Sequence, residues 1–519
     1  MPDLLTLYAS TQPDKPAVID DQGSGNVTTW TYAQLESEAN RLANALAALG
    51  VAAGEKVIWC GPNAPQVVAV TNATRKIGAV AVPLNYRLTR EEAQYIVVHS
   101  DAAVAYVDAE YAHLLAMPAG ERLGNLRQTV AYGGPAPDGI LSHDELVAAA
   151  SDGLPGGLEN DGTGATMIYT SGTTGKPKGA YRNMTDQSTA LALIGYIGFT
   201  PDDVYLTSGP LYHSGPGAFM AVGLALGQTI ILQRKFDPED WLRLVDTYKV
   251  SSTFSAPPLI RLVCALPAEV KARYDRSSMK RMLANAAPWS FALKQAYMAD
   301  FPADSLWEIY GSTELGVDCV LEPKDQLRKP GSCGKPAPGV EIALLDSEGN
   351  EVTGTGPEHA GELYVRSSGV FSDYYKQPDS YQAGRRGDFH TVGDIAYRDD
   401  EGYLYICDRK SDMIISGGMN IYPAEIEAAL EQHPQIFDVA VFGIPSQDWG
   451  EQVHAAVVRA PGAELSEADV MAFAREHLAG YKTPRSVSFV DELPRTGSGK
   501  LLKRQLRAPY WAGRATKVS

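Results

Sequence analysis

Helix and strand patterns alternate along the first 110 residues, and this order restricts the possible folds more than any other feature of the sequence. Leucines and alanines recur at spacings of three and four after Thr31, which predicts a helix that Thr31 caps and Gly50 ends. Thr89 and Glu92 fit a capping box that opens a later helix. Short apolar segments that predict buried strands lie at 56–60, 79–82 and 103–107, and a further helix pattern begins at about 63. Strands that alternate with helices are typical of a mostly parallel sheet flanked by helices.

The pattern of predicted helices and strands changes twice after this region. Over 340–406, short strand patterns separated by glycine-rich turns indicate a smaller antiparallel barrel or sheet. After Cys407, helix and strand patterns indicate a compact α+β unit. The expected fold is therefore α/β, with a large N-terminal domain over 1–408 of mostly parallel sheets flanked by helices. That domain includes a small β-barrel-like subdomain over 340–406, and a small C-terminal α+β domain follows over 409–519.

Length and charge exclude several classes of function. At 519 residues the chain is too long for one ordinary domain. Its formal net charge of −17 argues against a nucleic-acid partner, since phosphate backbones require a surplus of Lys and Arg. The five cysteines are scattered, and the N-terminus does not resemble a signal peptide, so we expect a cytoplasmic location. No apolar run approaches the ~18 residues of a membrane span, so no integral membrane segment is expected.

A loop rich in glycine, hydroxyl and lysine carries the strongest chemical signal. The segment 166–170 (TMIYT) predicts a strand, and residues 171–179 (SGTTGKPKG) then hold three glycines, three hydroxyls and two lysines. Glycines let main-chain N–H groups approach a phosphate closely, and lysines neutralise its charge. The loop does not match the Walker A pattern. The alternative is a flexible surface linker, but a linker rarely carries such residues directly after a buried strand, so we predict a polyphosphate site.

This loop resembles the phosphate-binding signature of the adenylate-forming (AMP-binding) superfamily. The similarity recurs in order from about residue 30 to residue 507 and is nearest to the acyl-CoA synthetase, or fatty-acid–CoA ligase, branch. The resemblance implies an AMP-forming acid–thiol ligase that uses ATP, Mg²⁺ and coenzyme A. A carboxylic acid and ATP would give acyl-AMP and pyrophosphate, and acyl-AMP and coenzyme A would then give acyl-CoA and AMP.

The resemblance also implies roles for individual residues in binding ATP and AMP. Lys500 matches the catalytic lysine, Thr313 would bind the α-phosphate, and Glu314 and Thr173 would hold Mg²⁺. Asp394 and Arg409 match the residues that contact the ribose. The remaining residues that the resemblance assigns to ATP or AMP are Thr170, Ser171, Gly172, Thr174, Gly175, Lys178, Ala286, Ala287, Pro288, Tyr310, Gly311 and Ser312.

Other matches imply the binding sites for the acid and for coenzyme A. His213 matches the histidine that lines the acyl pocket and senses its occupancy, and we count it among the catalytic residues. The rest of the acyl pocket would be Leu193, Ser214, Gly215, Trp289, Leu315 and Gly316. Coenzyme A would contact Ser416, Gly417, Gly418, Trp449, Lys482 and Arg485. Ser411 stands at the hinge position, where the family usually has Asp or Lys, and we still expect the C-terminal domain to rotate there.

The identity of the acid is the least constrained prediction. The pocket residues are apolar or small and include no fixed cation, which suits a hydrophobic monocarboxylic acid such as a medium- or long-chain fatty acid or a steroid side-chain acid. An aryl acid remains open, as do a carrier-protein phosphopantetheine as the thiol acceptor, a luciferase-like oxygenase and a nucleotide-binding regulator without catalysis. The expected partners are otherwise small molecules, and a homodimer is left open.

Overall fold

The computed structural model describes residues 3–117, 121–156, 164–170, 176–183, 186–285, 289–417, 419–495 and 501–512. Within these ranges, no helix is both long and apolar enough to cross a membrane.

The strands, in chain order, are β1 (Pro16–Asp21), β2 (Val27–Thr31), β3 (Lys56–Cys60), β4 (Val80–Leu84), β5 (Ala102–Asp108), β6 (Gln128–Tyr132), β7 (Leu141–Ser142), β8 (Ala165–Thr170), β9 (Lys178–Asn183), β10 (Val204–Thr207), β11 (Thr229–Leu232), β12 (Ser252–Ser255), β13 (Arg281–Ala284), β14 (Leu306–Ser312), β15 (Gly316–Leu321), β16 (Lys335–Pro336), β17 (Glu341–Leu345), β18 (Gly361–Arg366), β19 (Asp373–Tyr374), β20 (Arg385–Arg386), β21 (Phe389–His390), β22 (Asp394–Arg398), β23 (Leu404–Arg409), β24 (Ile414–Ser416), β25 (Met419–Ile421), β26 (Ile436–Ser446), β27 (Gly450–Arg459) and β28 (Ser486–Phe489).

The α-helices are α1 (Leu4–Thr11), α2 (Tyr32–Ala48), α3 (Pro65–Lys76), α4 (Arg90–Ser100), α5 (His143–Ala149), α6 (Ser188–Ile197), α7 (Ser214–Ala225), α8 (Pro238–Tyr248), α9 (Pro257–Cys264), α10 (Ala268–Lys271), α11 (Phe291–Asp300), α12 (Pro378–Ala383), α13 (Pro423–Leu430), α14 (Glu467–His477) and α15 (Lys503–Trp511). Short 3-10 helices occur at Ala109–Leu115, Ala303–Ser305, Pro323–Asp325 and Pro357–His359.

Two large sheets form the body of the molecule, and the strands inside each sheet are parallel. In the part of the chain that the structure describes, one sheet has the order β16-β15-β14-β13-β12-β10-β11-β1-β2 and the other has the order β19-β9-β8-β4-β3-β5-β6-β7. Antiparallel pairs occur only toward the edges, at β14–β15–β16, β1–β2 and β8–β9–β19. The predicted mostly parallel sheets flanked by helices are thus confirmed.

A third sheet follows, built from residues that the sequence assigned to short strands between glycine-rich turns. Its order is β20-β21-β18-β22-β23, with β17 paired to β18, and its pairs are antiparallel. The register of β22 and β23 places Asp394 directly opposite Arg409. This antiparallel sheet agrees with the small β subdomain of the predicted fold class, and its last strand ends at Arg409.

The fourth sheet is made entirely of strands that come after Arg409. Its order is β25-β24-β27-β26, with β28 parallel to β27. Helices α13 and α14 cover it and share a separate buried core with it, which includes Ile426, Val441 and Val470. An α+β arrangement was the predicted form of this part of the chain.

Helix starts agree with the local signals in the sequence. Thr31 and Gln34 form a reciprocal capping box at the start of α2, and Thr89 and Glu92 form one at the start of α4. In each case a side-chain oxygen accepts from a main-chain N–H that has no partner within the helix.

Candidate active site

The parallel strands bring several loops to one edge of the nine-stranded sheet. Segments that directly follow β10, β12, β13 and β14 contribute residues to one continuous cleft, as expected where carboxyl ends of parallel strands meet. The predicted nucleotide and phosphate residues that line this central cleft are Thr170, Lys178, Tyr310, Gly311, Ser312, Thr313, Glu314, Asp394 and Arg409. Residues that lie far apart in the sequence thus converge in one place.

Glu314 lies in the tight turn between β14 and β15. Its side-chain oxygen Oε1 accepts hydrogen bonds from the hydroxyls of Thr170 and Tyr374, each at 3.0 Å. No described residue donates a hydrogen bond to Oε2, and Glu314 is 8% exposed and lines the cleft. Mg²⁺ prefers oxygen ligands and usually takes one or two carboxylates together with phosphate oxygens. A carboxylate with one oxygen fixed and the other available fits that ion.

Tyr310, Asp394 and Arg409 form a connected group on the cleft wall. The Tyr310 hydroxyl donates to Oδ2 of Asp394, and Nε of Arg409 lies 3.3 Å from Oδ1. Burial and the charge of Asp394 raise the pKa of the Tyr310 phenol well above its ordinary value. The phenol therefore stays protonated and acts as a donor. Asp394 is held from two sides, and each carboxylate oxygen keeps a further lone pair for a ligand hydroxyl.

Thr313 connects the phosphate side of the cleft to the predicted acyl side. Its hydroxyl lies 2.8 Å from the hydroxyl of Ser214, the first residue of α7. The two predicted sites therefore adjoin, which is the geometry that a reaction between a carboxylate and an α-phosphate requires.

His213 precedes α7 and lines the same cleft. Burial, aided by the charge of Arg87, lowers the pKa of the imidazole to about 4. The ring is therefore neutral at neutral pH. Its Nε2 is buried and has no hydrogen-bond partner among the described residues, and the ring packs 4.4 Å from that of Tyr212.

Most of the other predicted acyl-pocket residues line the cleft, namely Leu193, Ser214, Gly215, Trp289 and Gly316. Leu315 does not line it. Its side chain is fully buried on the other side of the turn, and the neighbouring Val317 lines the cleft instead. The buried position of Leu315 depends on how the core packs behind the turn, which the sequence pattern alone does not determine.

Two aromatic residues that the sequence reasoning missed also line the cleft. Phe219 in α7 and Phe254 in β12 stack with ring centroids 5.4 Å apart. A Cβ atom added to Gly215 would lie 2.3 Å from the Phe254 ring, so glycine is needed at that position for the ring to fit. Phe254 lies at the carboxyl end of a parallel strand, where ligands usually bind in such sheets, and this position could have indicated a residue of the site.

A buried ion pair near the acyl side was missed as well. Nζ of Lys294 in α11 lies 2.5 Å from Oε2 of Glu308 in β14. Glu308 lines the cleft, whereas Lys294 is 1% exposed and does not. Burial raises the pKa of the Glu308 carboxyl, and the charge of Lys294 opposes that effect.

Several predicted residues lie outside the described part of the chain. They are Ser171, Gly172, Thr173, Thr174, Gly175, Ala286, Ala287, Pro288, Gly418 and Lys500. Their neighbours Thr170, Lys178 and Trp289 all line the central cleft.

Comparison with protein-family models matches most of the chain. The model described as AMP-binding enzyme covers residues 5–375, and that of the AMP-binding enzyme C-terminal domain covers residues 425–500. The chain belongs to the AMP-binding enzymes. The enzyme is an AMP-forming acid–thiol ligase, which uses ATP, Mg²⁺ and coenzyme A with a carboxylic acid.

Individual relatives of this AMP-binding enzyme cover nearly its full length. A feruloyl-CoA synthase of Amycolatopsis sp is 36% identical over 489 residues, which are 93% of this chain and 94% of the relative. A fatty acid–[acyl-carrier-protein] ligase, ScoC, of Streptomyces coeruleorubidus is 33% identical over 530 residues, covering 99% and 97%. The crystal structure of the anthranilate CoA ligase AuaEII in complex with anthranoyl-AMP superposes with a TM-score of 0.87 at 26% identity, covering 98% and 96%.

The predicted coenzyme A residues of this AMP-binding enzyme are not gathered at the central cleft. Lys482 lines it and pairs with Glu425 at 2.6 Å. In contrast, Ser416, Gly417, Trp449 and Arg485 do not line it, and the Arg485 guanidinium lies over the Trp449 ring at 5.1 Å.

The predicted hinge of the AMP-binding enzyme is bonded to the last helix of the C-terminal unit, and a separate bond joins the body to the fourth sheet. Ser411 lines the cleft, and its carbonyl accepts a bond of 3.4 Å from Arg507 in α15. Arg261 in α9 donates a hydrogen bond of 2.9 Å to the main-chain carbonyl of Phe437 in β26. The fourth sheet is therefore held against the body on the cleft side.

Proposed function

We propose that this AMP-binding enzyme joins a hydrophobic monocarboxylic acid to coenzyme A, with an aryl or arylalkyl acid as the first candidate. The observation that carries the proposal is the stacked pair Phe219–Phe254, whose aromatic side chains line the same cleft as Ser214 and Thr313. Aromatic side chains favour stacked or edge-to-face contacts with another ring. The feruloyl-CoA synthase and the anthranilate CoA ligase among the relatives support the same class of acid.

In the first half-reaction, the acid oxygen attacks the α-phosphate of ATP, and pyrophosphate leaves. No general base is needed because the acid is already ionised at neutral pH. We assign to Thr313 the binding of the α-phosphate and to Asp394 that of the ribose hydroxyls. Lys500 would contact both the acid and the α-phosphate. Mg²⁺ held by Glu314 would offset the charge of the triphosphate.

In the second half-reaction, the sulfur of coenzyme A attacks the acyl carbon, the bond to the phosphate oxygen breaks, and AMP leaves. We propose that residues 409–519 turn about Ser411 between the two steps. The separation of Trp449 and Arg485 from the cleft supports this proposal, because these residues need a movement of the unit to reach the acyl-AMP.

A medium- or long-chain fatty acid or a steroid side-chain acid is the second candidate. Leu191 and Leu262 are 63% and 47% exposed and line the same cleft, so a longer apolar chain has a surface to cover. The relative that loads fatty acids onto an acyl-carrier protein supports this candidate and also a carrier thiol as the acceptor.

A panel of acids offered to the purified full-length chain tests these proposals. Thioester formation with ATP and either coenzyme A or a phosphopantetheinyl carrier protein is followed by mass spectrometry. We expect kcat/KM to be highest for an aryl acid with coenzyme A, and Phe254→Leu to lower it at least about tenfold for that acid. Phe301→Leu is the matched control, because Phe301 is buried and stacked on Tyr297 but lies away from the cleft.

Other outcomes decide against parts of the proposal. A preference for long-chain acids that Phe254→Leu leaves unchanged would favour the second candidate. Thioester on the carrier protein but none on coenzyme A would overturn the acceptor. A homodimer and a cytoplasmic location also stay predictions, which sedimentation and cell fractionation test.

A further inference from the structure

Arg182 in β9 makes an unusual set of contacts beside the metal-binding carboxylate. Its Nη2 donates to the main-chain carbonyl of Thr313 at 2.8 Å and, more weakly, to that of Glu314 at 3.5 Å. Its Nη1 donates to the carbonyl of Gly369. No carboxylate of a described residue lies within ion-pair distance of the guanidinium. The charged guanidinium of Arg182 thus binds main-chain carbonyl groups and forms no salt bridge with a described residue.

The three carbonyls belong to segments that surround the predicted metal site. Thr313 and Glu314 form the turn between β14 and β15, and Gly369 lies in the segment between β18 and β19. That segment also holds the turn directly, since the main-chain N–H of Phe371 donates to the Glu314 carbonyl at 2.7 Å. Arg182 itself lies in the strand that follows the predicted phosphate loop. One side chain therefore ties the strand after the loop to the turn and to the segment behind it.

The acidic side chains around Arg182 explain why a positively charged residue suits this buried position. Burial lowers the pKa of the Arg182 guanidinium, and the nearby carboxylates of Glu314 and Asp318 oppose that effect. Asp318 is fully buried, and neither of its side-chain oxygens has a hydrogen-bond partner among the described residues. Removal of the guanidinium would leave carbonyls and these acids without their positive neighbour, which is costly in a buried site.

We propose that Arg182 is a positioning residue for the first half-reaction. It fixes the Thr313–Glu314 turn, so that the Thr313 hydroxyl meets the α-phosphate and the Glu314 carboxylate meets Mg²⁺ without rearrangement of the turn. This proposal rests on the function proposed above. Arginine suits the task because its planar fork donates in several fixed directions. A lysine carries the same charge on a single point and cannot reach three carbonyls in the same geometry.

The test compares Arg182→Lys and Arg182→Met with wild type in three measurements on the full chain. Exchange of pyrophosphate into ATP is measured against Mg²⁺ concentration. Thioester formation is measured from supplied acyl-AMP and coenzyme A. Binding of Mn²⁺ in the presence of ATP is followed by electron paramagnetic resonance, which needs no turnover.

We expect both variants to need about tenfold more Mg²⁺ for half-maximal exchange and to bind Mn²⁺ with ATP about tenfold more weakly. The loss of metal affinity should be smaller for Arg182→Lys than for Arg182→Met. Thioester formation from supplied acyl-AMP should fall by less than about threefold, because acyl-AMP keeps the α-phosphate that Thr313 is proposed to bind but carries no triphosphate and no Mg²⁺. Arg281→Lys is the matched control. Arg281 donates to the carbonyls of Ile197 and Gly198 and lies away from the central cleft.

Two results would overturn the assignment. One is metal dependence and Mn²⁺ binding in the Arg182 variants equal to those of Arg281→Lys. The other is an equal loss in both half-reactions, which a merely structural role would produce. If Arg182→Met does not fold, Arg182→Lys, which keeps charge and similar volume, decides the question. If wild type formed no acyl-AMP with any acid, the proposed function would fail. The measurement of Mn²⁺ binding with ATP would still test whether Arg182 positions the metal site.

Discussion

The hydroxyl of Thr170 donates a hydrogen bond of 3.0 Å to Oε1 of Glu314, although 144 positions separate the two residues in the sequence. Thr170 ends β8 in the eight-stranded sheet, and Glu314 follows β14 in the nine-stranded sheet. The bond therefore joins the two large sheets at the point where the predicted phosphate loop begins. Movement of one sheet relative to the other would displace the Glu314 carboxylate, which we propose as the Mg²⁺ ligand.

Substitution Glu314→Gln should reduce formation of acyl-AMP by about 10²–10³-fold, in the range found when one charge-stabilising group is removed from an active site. The amide keeps the shape of the side chain but loses the charge that Mg²⁺ requires. Pyrophosphate exchange at several Mg²⁺ concentrations measures the effect. Glu341→Gln, a change to an exposed glutamate that pairs with Arg366, is the control. Normal exchange at limiting Mg²⁺ would contradict the assignment.

The ring and the hydroxyl of Tyr310 should contribute differently to nucleotide binding. Tyr310→Phe keeps an aromatic face and removes only the bond to Asp394, so we expect KM for ATP to rise less than about fivefold. Asp394→Ala removes the carboxylate that we assign to the ribose, and KM for ATP should rise at least about thirtyfold. A larger effect from Tyr310→Phe than from Asp394→Ala would refute the ribose assignment. Initial rates of pyrophosphate exchange supply both values.

Lys500→Ala should separate the two half-reactions. The lysine is proposed to contact the acid and the α-phosphate, so its removal should lower acyl-AMP formation by ~10²-fold or more. Thioester formation from supplied acyl-AMP should change little, because the lysine is not needed for attack by the thiol. Lys235→Ala, at an exposed position away from the cleft, is the control. An equal loss in both steps would argue against a rotating C-terminal unit.

Ionisation of Asp408 should make stability depend on pH. Burial raises the pKa of this carboxyl to about 6, with the charge of Glu427 adding to the effect and that of Lys503 opposing it. The folded state thus binds the proton more tightly than the unfolded state, whose pKa is near 4. The stability contribution is full below about pH 4 and is lost as pH rises through 6, with an upper limit of ~3 kcal/mol.

Asp408→Asn cannot ionise and should therefore gain stability relative to wild type as pH rises. We expect the difference in Tm between variant and wild type to be more positive at pH 7.5 than at pH 5.0, measured by differential scanning calorimetry. The amide oxygen can still accept a bond from the main-chain N–H of Ala424 or Arg409. Asp448→Asn, at an exposed position, should show no such trend. A Tm difference that is the same at both pH values would show that Asp408 does not titrate in this range.

The sequence predicted those parts of the fold that depend on short-range interactions. Thr31 and Thr89 cap helices as expected because a capping box needs only four consecutive residues. Roles for residues such as Thr313 and Asp394 were predicted because these residues stand in segments that resemble those of a known family. Both residues line one cleft, and their roles stay predictions.

Contacts between distant segments could not be predicted in the same way. Tyr374 bonds to Glu314 only because β19 pairs with β9, and Lys294 meets Glu308 only because α11 packs on β14. In neither contact does the sequence around one residue indicate which distant residue it will meet. The side of the turn on which Leu315 is buried likewise depends on packing behind the sheet.

The exposed position of Trp449, with Arg485 over its ring, has a spectroscopic consequence. Indole fluorescence shifts to shorter wavelength when water around the ring is replaced by less polar groups. If the C-terminal unit turns and this ring comes to rest against coenzyme A or the body of the enzyme, its emission will report the event without an added dye. The sequence has seven tryptophans, so the difference in emission between wild type and Trp449→Phe would isolate this signal and test the proposed rotation.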